Sequence, residues 1–271
     1  MRPEGCNPTL TSQFHKGNTR FDLTGKVAVI TGSTKGIGKS IAEEMARAGA
    51  KVVVSSRKAD AVEAVTKELT AAGHEALGIP CNIGSKAELQ NLVDKTLAKW
   101  GRIDILVCNA AINPVFGPMA NVSDEAFDKI MGSNVRSVFW LANMVLPQMA
   151  ERKDGAMVII SSIAAIRGSN VNGLYGVTKA ADAGLGRALA VEWGPHNIRV
   201  NSIAPGLIKT DFARALWTDE ERRKRREALT PLRRIGDPED IGGIAVFLAS
   251  DAARFVTGQL LIADGGASIG W

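Results

Sequence analysis

Shortages bound this chain before any motif is read: 271 residues contain one tyrosine, three cysteines and no apolar run near the roughly 20 residues of a membrane-spanning helix. The last argues against a helical membrane span and a membrane partner. Cys6, Cys81 and Cys108 are odd in number, far apart and without CxxC or histidine-rich spacing, which argues against a disulfide framework and a structural metal site. A reduced, cytoplasmic protein is the expectation. Charge of one sign is also scarce, since 28 acidic residues are interspersed among 33 basic ones; a net +5 spread this way predicts no nucleic-acid partner.

Residues 1–21, MRPEGCNPTLTSQFHKGNTRF, lack an apolar stretch of signal-peptide length. They read as a flexible tail, with a docking arm for a neighbouring subunit as the alternative. The chain ends in SIGW rather than a peroxisomal tripeptide. No Pro/Ser-rich linker or internal repeat divides the remainder, so residues 22–271 are expected to form one domain.

What is present is a rhythm. Seven β-branched or apolar runs, VAVIT (27–31), KVVVSS (51–56), ALGIPC (76–81), IDILVCNA (103–110), AMVIISS (156–162), IRVNSIAP (198–205) and QLLIADG (259–265), alternate with longer amphipathic stretches. Unbroken apolar strands separated by helices predict a sheet buried on both faces. The fold class is therefore α/β, a single doubly wound seven-stranded parallel sheet of the Rossmann type.

The first strand runs into GSTKGIG, Gly32-Ser33-Thr34-Lys35-Gly36-Ile37-Gly38, and then a helix. Missing side chains at Gly32, Gly36 and Gly38 let the backbone approach a pyrophosphate at the positive helix terminus, so this turn predicts a dinucleotide. At the end of the second strand, NAD-binding proteins commonly carry an acid for the ribose hydroxyls. Here Ser55, Ser56, Arg57 and Lys58 stand there, without a carboxylate. An acid would repel a 2′-phosphate, whereas Arg57 and Lys35 attract it, which favours NADP(H) over NAD(H). The alternative is that Arg57 and Lys58 are a solvated helix start. Asn82-Ile83 after the third strand and Asn109-Ala110-Ala111 after the fourth suit contacts to adenine and cofactor, or local turn chemistry alone.

The only tyrosine, Tyr175, precedes Lys179 by four residues in LYGVTKAADAGLGRALAV (174–191), which reads as a helix that puts both on one face. An ammonium beside a phenol stabilises its anion, so the pair is expected to lower the phenol pKa and to move a proton to or from a carbonyl oxygen. Ser162 ends the fifth strand, where open α/β sheets hold ligands, and its hydroxyl is placed to hold the same oxygen.

TGxxxGxG, Ser162 and YxxxK together resemble the short-chain dehydrogenase/reductase family, from about Phe21 to the C-terminus. The resemblance implies a catalytic tetrad of Asn134, Ser162, Tyr175 and Lys179. In it Asn134 helps hold a water-linked proton relay, Ser162 polarises the carbonyl, Tyr175 is the general acid or base, and Lys179 also binds the nicotinamide ribose. PGLIKT (205–210) resembles the segment that contacts the nicotinamide amide, with Pro205, Gly206, Ile208 and Thr210 at the cofactor. Two departures are conservative in size: Cys108-Asn109-Ala110-Ala111 replaces NNAG, and Asn82 replaces a frequent Asp.

The resemblance further makes about 207–235 a substrate-covering segment, with Phe116, Ile163, Phe212, Leu216 and Trp217 as pocket residues. It implies a homo-oligomer, tetramer or dimer, and a small carbonyl or alcohol substrate. AINPVFGPM, SSIAA and APGLIKTDFARALW look like the carbonyl-reductase branch. A 3-oxoacyl-carrier-protein or -CoA reductase is the alternative within the class, and a catalytically silent cofactor-binding regulator the alternative outside it. The run EERRKRRE (220–227) reads as a dock for an acidic carrier or as a solvated helix face.

Overall fold

Each apolar run of the sequence becomes a strand because a β-branched side chain on a fully covered sheet is buried whichever face it points to. In a computed structural model that describes residues 20–270, the strands are β1 (Val27–Thr31), β2 (Lys51–Ser55), β3 (Ala76–Gly78), β4 (Ile105–Cys108), β5 (Gly155–Ile160), β6 (Ile198–Pro205) and β7 (Leu260–Ala263). All pair in parallel in the order β3-β2-β1-β4-β5-β6-β7. The sequence step from β1 outward to β3, then back across to β4, reverses the winding between β1 and β4. A crevice therefore opens at the carboxyl ends of those two strands.

The helices are α1 (Gly36–Arg47), α2 (Ala59–Ala71), α3 (Lys86–Trp100), α4 (Asp124–Met131), α5 (Ser137–Arg152), α6 (Gly173–Trp193), α7 (Arg214–Trp217), α8 (Glu220–Leu229) and α9 (Glu239–Ala249). They cover the sheet on both sides and make two cores. Ile30, Ile41, Val54, Ile203 and Ile241 belong to one, and Val29, Leu92, Leu106, Leu146 and Ile159 to the other. Successive residues of one strand, Val29 and Ile30, thus enter opposite cores, as the two-residue strand period requires.

At the opposite, amino-terminal edge of the sheet, Asp104 is buried and holds three elements together. Its Oδ2 accepts from Val27 N at 2.9 Å, and its carboxylate is paired with Arg102 at 2.5 Å and Arg152 at 3.5 Å. Residues 1–19 of the expected tail lie outside the described residues. Within the body, Ala252 N donates to Arg20 O at 2.9 Å, and the Phe21 ring lies 6.3 Å from that of Phe247. Among the described residues no helix is long and apolar enough to cross a membrane, and no His, Cys, Asp and Glu cluster is fit to hold a metal ion.

Candidate active site

The turn after β1 passes through Gly32 (φ +67°) and Gly36 (φ +55°), left-handed conformations that favour glycine. Gly38 is glycine for a different reason. A Cβ there would lie 2.3 Å from the Gly32 carbonyl oxygen and 2.4 Å from Asn109 Nδ2, so only a bare backbone lets α1 start this close to the turn. The N-cap residue Lys35 offers α1 no side-chain cap, so the first-turn amides remain free for an anion.

Asn109 and Thr31 fix that turn. Asn109 Nδ2 donates to Thr31 O at 2.9 Å and Gly32 O at 3.1 Å, while Asn109 N and Ala110 N donate to Thr31 Oγ1 at 3.0 and 3.1 Å. Ser33 turns its hydroxyl inward, accepting from Ser55 N at 2.9 Å and donating to Ile30 O at 2.8 Å. Ile37 packs on the core, Thr34 is half-buried, Ala111 follows Ala110 at the crevice, and Lys35 is exposed with its ammonium 3.5 Å from Asp211. Thr31, the first letter of the motif, is thus the acceptor that holds both amides of the segment after β4. We expect Thr31→Val to leave two amides without their acceptor and to cost about 2 kcal/mol, read from the urea midpoint.

The Ser56 hydroxyl after β2 is buried with no hydrogen-bond partner, and Arg57 and Lys58 beside it are exposed. An orphaned hydroxyl, two cations, a glycine cradle and uncapped amides fit an adenosine-ribose-pyrophosphate chain along the crevice. Farther out, Asn82 Oδ1 accepts from Gly84 N at 3.1 Å and closes its own turn, and Ile83 packs on the core.

Ser162 lies just beyond β5 in extended backbone, its Oγ accepting from Ala164 N at 3.1 Å to start the tight turn Ile163–Ala165. Tyr175 stands in the first turn of α6. Gly176 permits the meeting, because a Cβ on it would lie 2.9 Å from Ala164 O. Lys179 Nζ is 5.7 Å from the Tyr175 ring centroid and donates to Ile160 O and Asp182 Oδ2, each at 2.9 Å.

Asn134 is buried in a π-helical turn, Gly132–Arg136, a widened backbone frequent at functional sites. Its Oδ1 accepts from Ile112 N at 2.8 Å, and its Nδ2 donates to Ile112 O at 2.9 Å and Thr178 Oγ1 at 3.1 Å. Thr178 Oγ1 in turn donates to Tyr175 O at 2.8 Å, so one amide ties the segment after β4 to α6. Thr178 and Asp182 are further members of the site that carried no signal in the sequence.

The i,i+4 spacing predicts a lowered phenol, and the structure reverses the sign. Burial pushes Tyr175 above its ordinary value; Lys179 pulls it down, Asp182 pushes it up and Ser162 pulls it down, and burial prevails.

The family model described as Enoyl-(Acyl carrier protein) reductase matches residues 32–268. Dehydrogenase/reductase SDR family member 4 of Homo sapiens is 44% identical over 251 residues, 92% of this chain and 90% of that protein. The chain belongs to the short-chain dehydrogenase/reductase family. Among solved structures, a 7 alpha-hydroxysteroid dehydrogenase complexed with NADH and 7-oxo glycochenodeoxycholic acid superposes with a TM-score of 0.87 at 41% identity, covering 91% of this chain and 96% of its own. A gluconate 5-dehydrogenase from Burkholderia cenocepacia in complex with NADP and tartrate gives 0.88 at 32% identity, covering 92% and 97%.

In this short-chain dehydrogenase/reductase the loop after β6 continues the crevice. Pro205 pairs with Ala263 in the sheet, a Cβ on Gly206 would lie 2.7 Å from Asp264 Cβ, Ile208 is buried, and Thr210 stands across from Gly36 at 3.0 Å from where its Cβ would be. Of the residues expected to line a pocket, Phe212 has its ring 6.0 Å from that of Tyr175. Trp217 Nε1 donates to Thr210 O at 2.9 Å, which folds α7 back onto its own loop, and Leu216 is half-buried beside it. Phe116 is exposed on a loop that Gly117 N pins to Val171 O at 2.9 Å. A cavity of about 470 Å³ is lined by Ile163, Ile208, Arg226, Leu229 and Arg234 among others; of the five expected pocket residues only Ile163 reaches it.

Proposed function

We propose that the protein is an NADP(H)-dependent oxidoreductase that interconverts a ketone or aldehyde and an alcohol. The carrying observation is that, at the carboxyl end of β5, the Ser162 hydroxyl is within hydrogen-bond reach of the Tyr175 phenol and the Lys179 ammonium lies 5.7 Å from the phenol ring. A nicotinamide cofactor bound in the crevice would supply the hydride chemistry of carbonyl reduction and alcohol oxidation. Ser162 donates a hydrogen bond to the substrate oxygen, and Tyr175 delivers the proton to it. A phenol held above its ordinary value stays protonated at neutral pH, which suits a proton donor in reduction. Lys179 stabilises the phenolate that remains. Asn134 has its amide committed to Ile112 and Thr178, so its part in a proton relay is to hold those segments in register.

Glycine-turn residues Gly32, Thr34, Lys35 and Gly38 would hold the pyrophosphate, with Ser56, Arg57 and Lys58 at the ribose 2′-phosphate. The support is the absence of a carboxylate at the end of β2, with two exposed cations in its place. Arg57→Asp should cut the preference for NADPH over NADH by about tenfold to hundredfold with little change in kcat for the favoured substrate. Equal preference in the two proteins would remove Arg57 from the cofactor site. The direct test is NADPH consumption over β-keto esters, diketones, aromatic ketones, retinal and an acetoacetyl thioester.

A second reading, reduction of a 3-oxoacyl thioester, is favoured by α8. Arg222 and Arg225 are exposed on it, and Arg226 and Leu229 reach the 470 Å³ cavity, which offers cations and apolar walls together. The thioester's rank in the panel decides between them. Assembly as a homo-oligomer through α5 and α6 is supported by the exposed apolar residues Phe139, Val177 and Val191, and solution mass measures it.

A further inference from the structure

Lys179 and Asp182 are the least solvated ion pair among the described residues: their side chains are 4% and 1% exposed, and Lys179 Nζ lies 2.9 Å from Asp182 Oδ2. Asp182 Oδ1 has no hydrogen-bond partner, so the hydrogen-bonding of this carboxylate is directed at Lys179. Burial disfavours an ammonium strongly, and a buried amine with no counter-ion sheds its proton. Burial works to discharge Lys179, but Asp182, by charge and hydrogen bond, leads the opposing causes and the amine is held above its ordinary value; burial pushes the Asp182 carboxyl up as well, and Lys179 pulls it back down.

The other groups facing the pair supply no competing charge. Tyr175 stands one turn back on α6. Cys108, at the end of β4, is kept a neutral thiol by burial. From the end of β5, Ile160 O accepts from Lys179 Nζ, Ser161 Oγ donates to Lys179 O at 2.8 Å, and Ser162 lies beside the phenol. The Tyr175–Lys179–Asp182 cluster is therefore neutral with Asp182 ionised and carries a buried positive charge without it.

We propose that Asp182 is a positioning residue for the reaction proposed above: as the buried counter-ion of Lys179, it keeps that amine charged and aimed across the face of the Tyr175 ring. With Asp182→Asn the amine loses its proton within the neutral range, and a neutral amine cannot stabilise the phenolate left by proton transfer. Turnover then depends on a protonation that the intact protein keeps across the neutral range.

The test uses the full-length protein without cofactor, labelled with 13C at lysine Cε, the Lys179 resonance being assigned by its loss in Lys179→Arg. In the unmodified chain that resonance should stay in the ammonium form from about pH 6 to about pH 9, and in Asp182→Asn it should titrate inside that window. In parallel, kcat/KM for carbonyl reduction should be level in the unmodified enzyme. In Asp182→Asn it should fall about tenfold per pH unit above the new midpoint, and Asp182→Glu should restore the level profile. An unchanged Lys179 titration in Asp182→Asn overturns the proposal. Should that variant not fold, the unmodified protein still decides, because a Lys179 that discharges near neutral pH shows that Asp182 does not hold its charge. If no carbonyl is reduced by the unmodified protein, the proposed activity fails while the resonance still judges the counter-ion.

Discussion

Tyr175→Phe is expected to lower kcat for carbonyl reduction by about a thousandfold or more, leaving the dissociation constant for NADPH within about twofold. Removal of a positioned proton donor costs on the order of 10² to 10⁴ in rate. The upper part of that range applies here because no other phenol exists in the chain and the neighbouring groups cannot substitute. Ser162 is a far weaker acid, and Lys179 already donates to Ile160 O and Asp182. The substitution removes one oxygen and keeps the ring, so the contact with Phe212 at 6.0 Å and the packing of α6 survive. Steady-state kinetics with NADPH fluorescence titration measures both quantities. Near-normal turnover would mean that the proton comes from elsewhere and that the proposed mechanism is wrong.

Gly38→Ala is expected to produce the largest structural effect of any single-methyl addition to the crevice. The new Cβ would lie 2.3 Å from the Gly32 oxygen and 2.9 Å from the Gly32 carbonyl carbon, and backbone cannot swing aside as a flexible side chain can. It would also lie 2.4 Å from Asn109 Nδ2, whose bonds to Thr31 O and Gly32 O hold the turn. Relief requires α1 to move away from β1, which costs about 3 kcal/mol by the usual price of overpacking. The same shift spreads the amides that would face the pyrophosphate, so NADPH affinity should fall by more than about tenfold. Gly243→Ala is the control. It lies in α9 with nothing within 4 Å of its added Cβ, and should be neutral or gain up to about 1 kcal/mol. Thermal unfolding of the two variants side by side checks the contrast; equal midpoints would show that the turn relaxes freely.

All seven strands were legible in place and order, and VAVIT and IRVNSIAP form β1 and β6 at the limits their residues suggest. Central position did not fix the limits of the others: IDILVCNA is ordered as strand only over Ile105–Cys108 and AMVIISS over Gly155–Ile160, although both pair on both sides. ALGIPC is ordered as strand only over Ala76–Gly78, since β3 is an edge that pairs with β2 alone and β2 ends at Ser55. The helix carrying Tyr175 runs Gly173–Trp193, a residue earlier and two later than its pattern suggests. In the site, the glycine positions were readable because each missing side chain marks a backbone approach. Asp182 was not. In AADAGLG it looks like any polar residue of a helix, and nothing in the spacing says that this turn faces inward at 0% exposure.

The order of elements, the glycine turn, the shared helix face of Tyr175 and Lys179, and Ser162 at a strand end followed from the sequence, because each depends on the period of one element or on one residue's backbone freedom. Tertiary structure alone decided that Lys179 points to Ile160 O and Asp182, that Asn134 clamps Ile112 and Thr178, and that the phenol is raised rather than lowered. Those outcomes depend on how much water is excluded and on which groups other strands bring near, and neither quantity is carried by spacing along the chain.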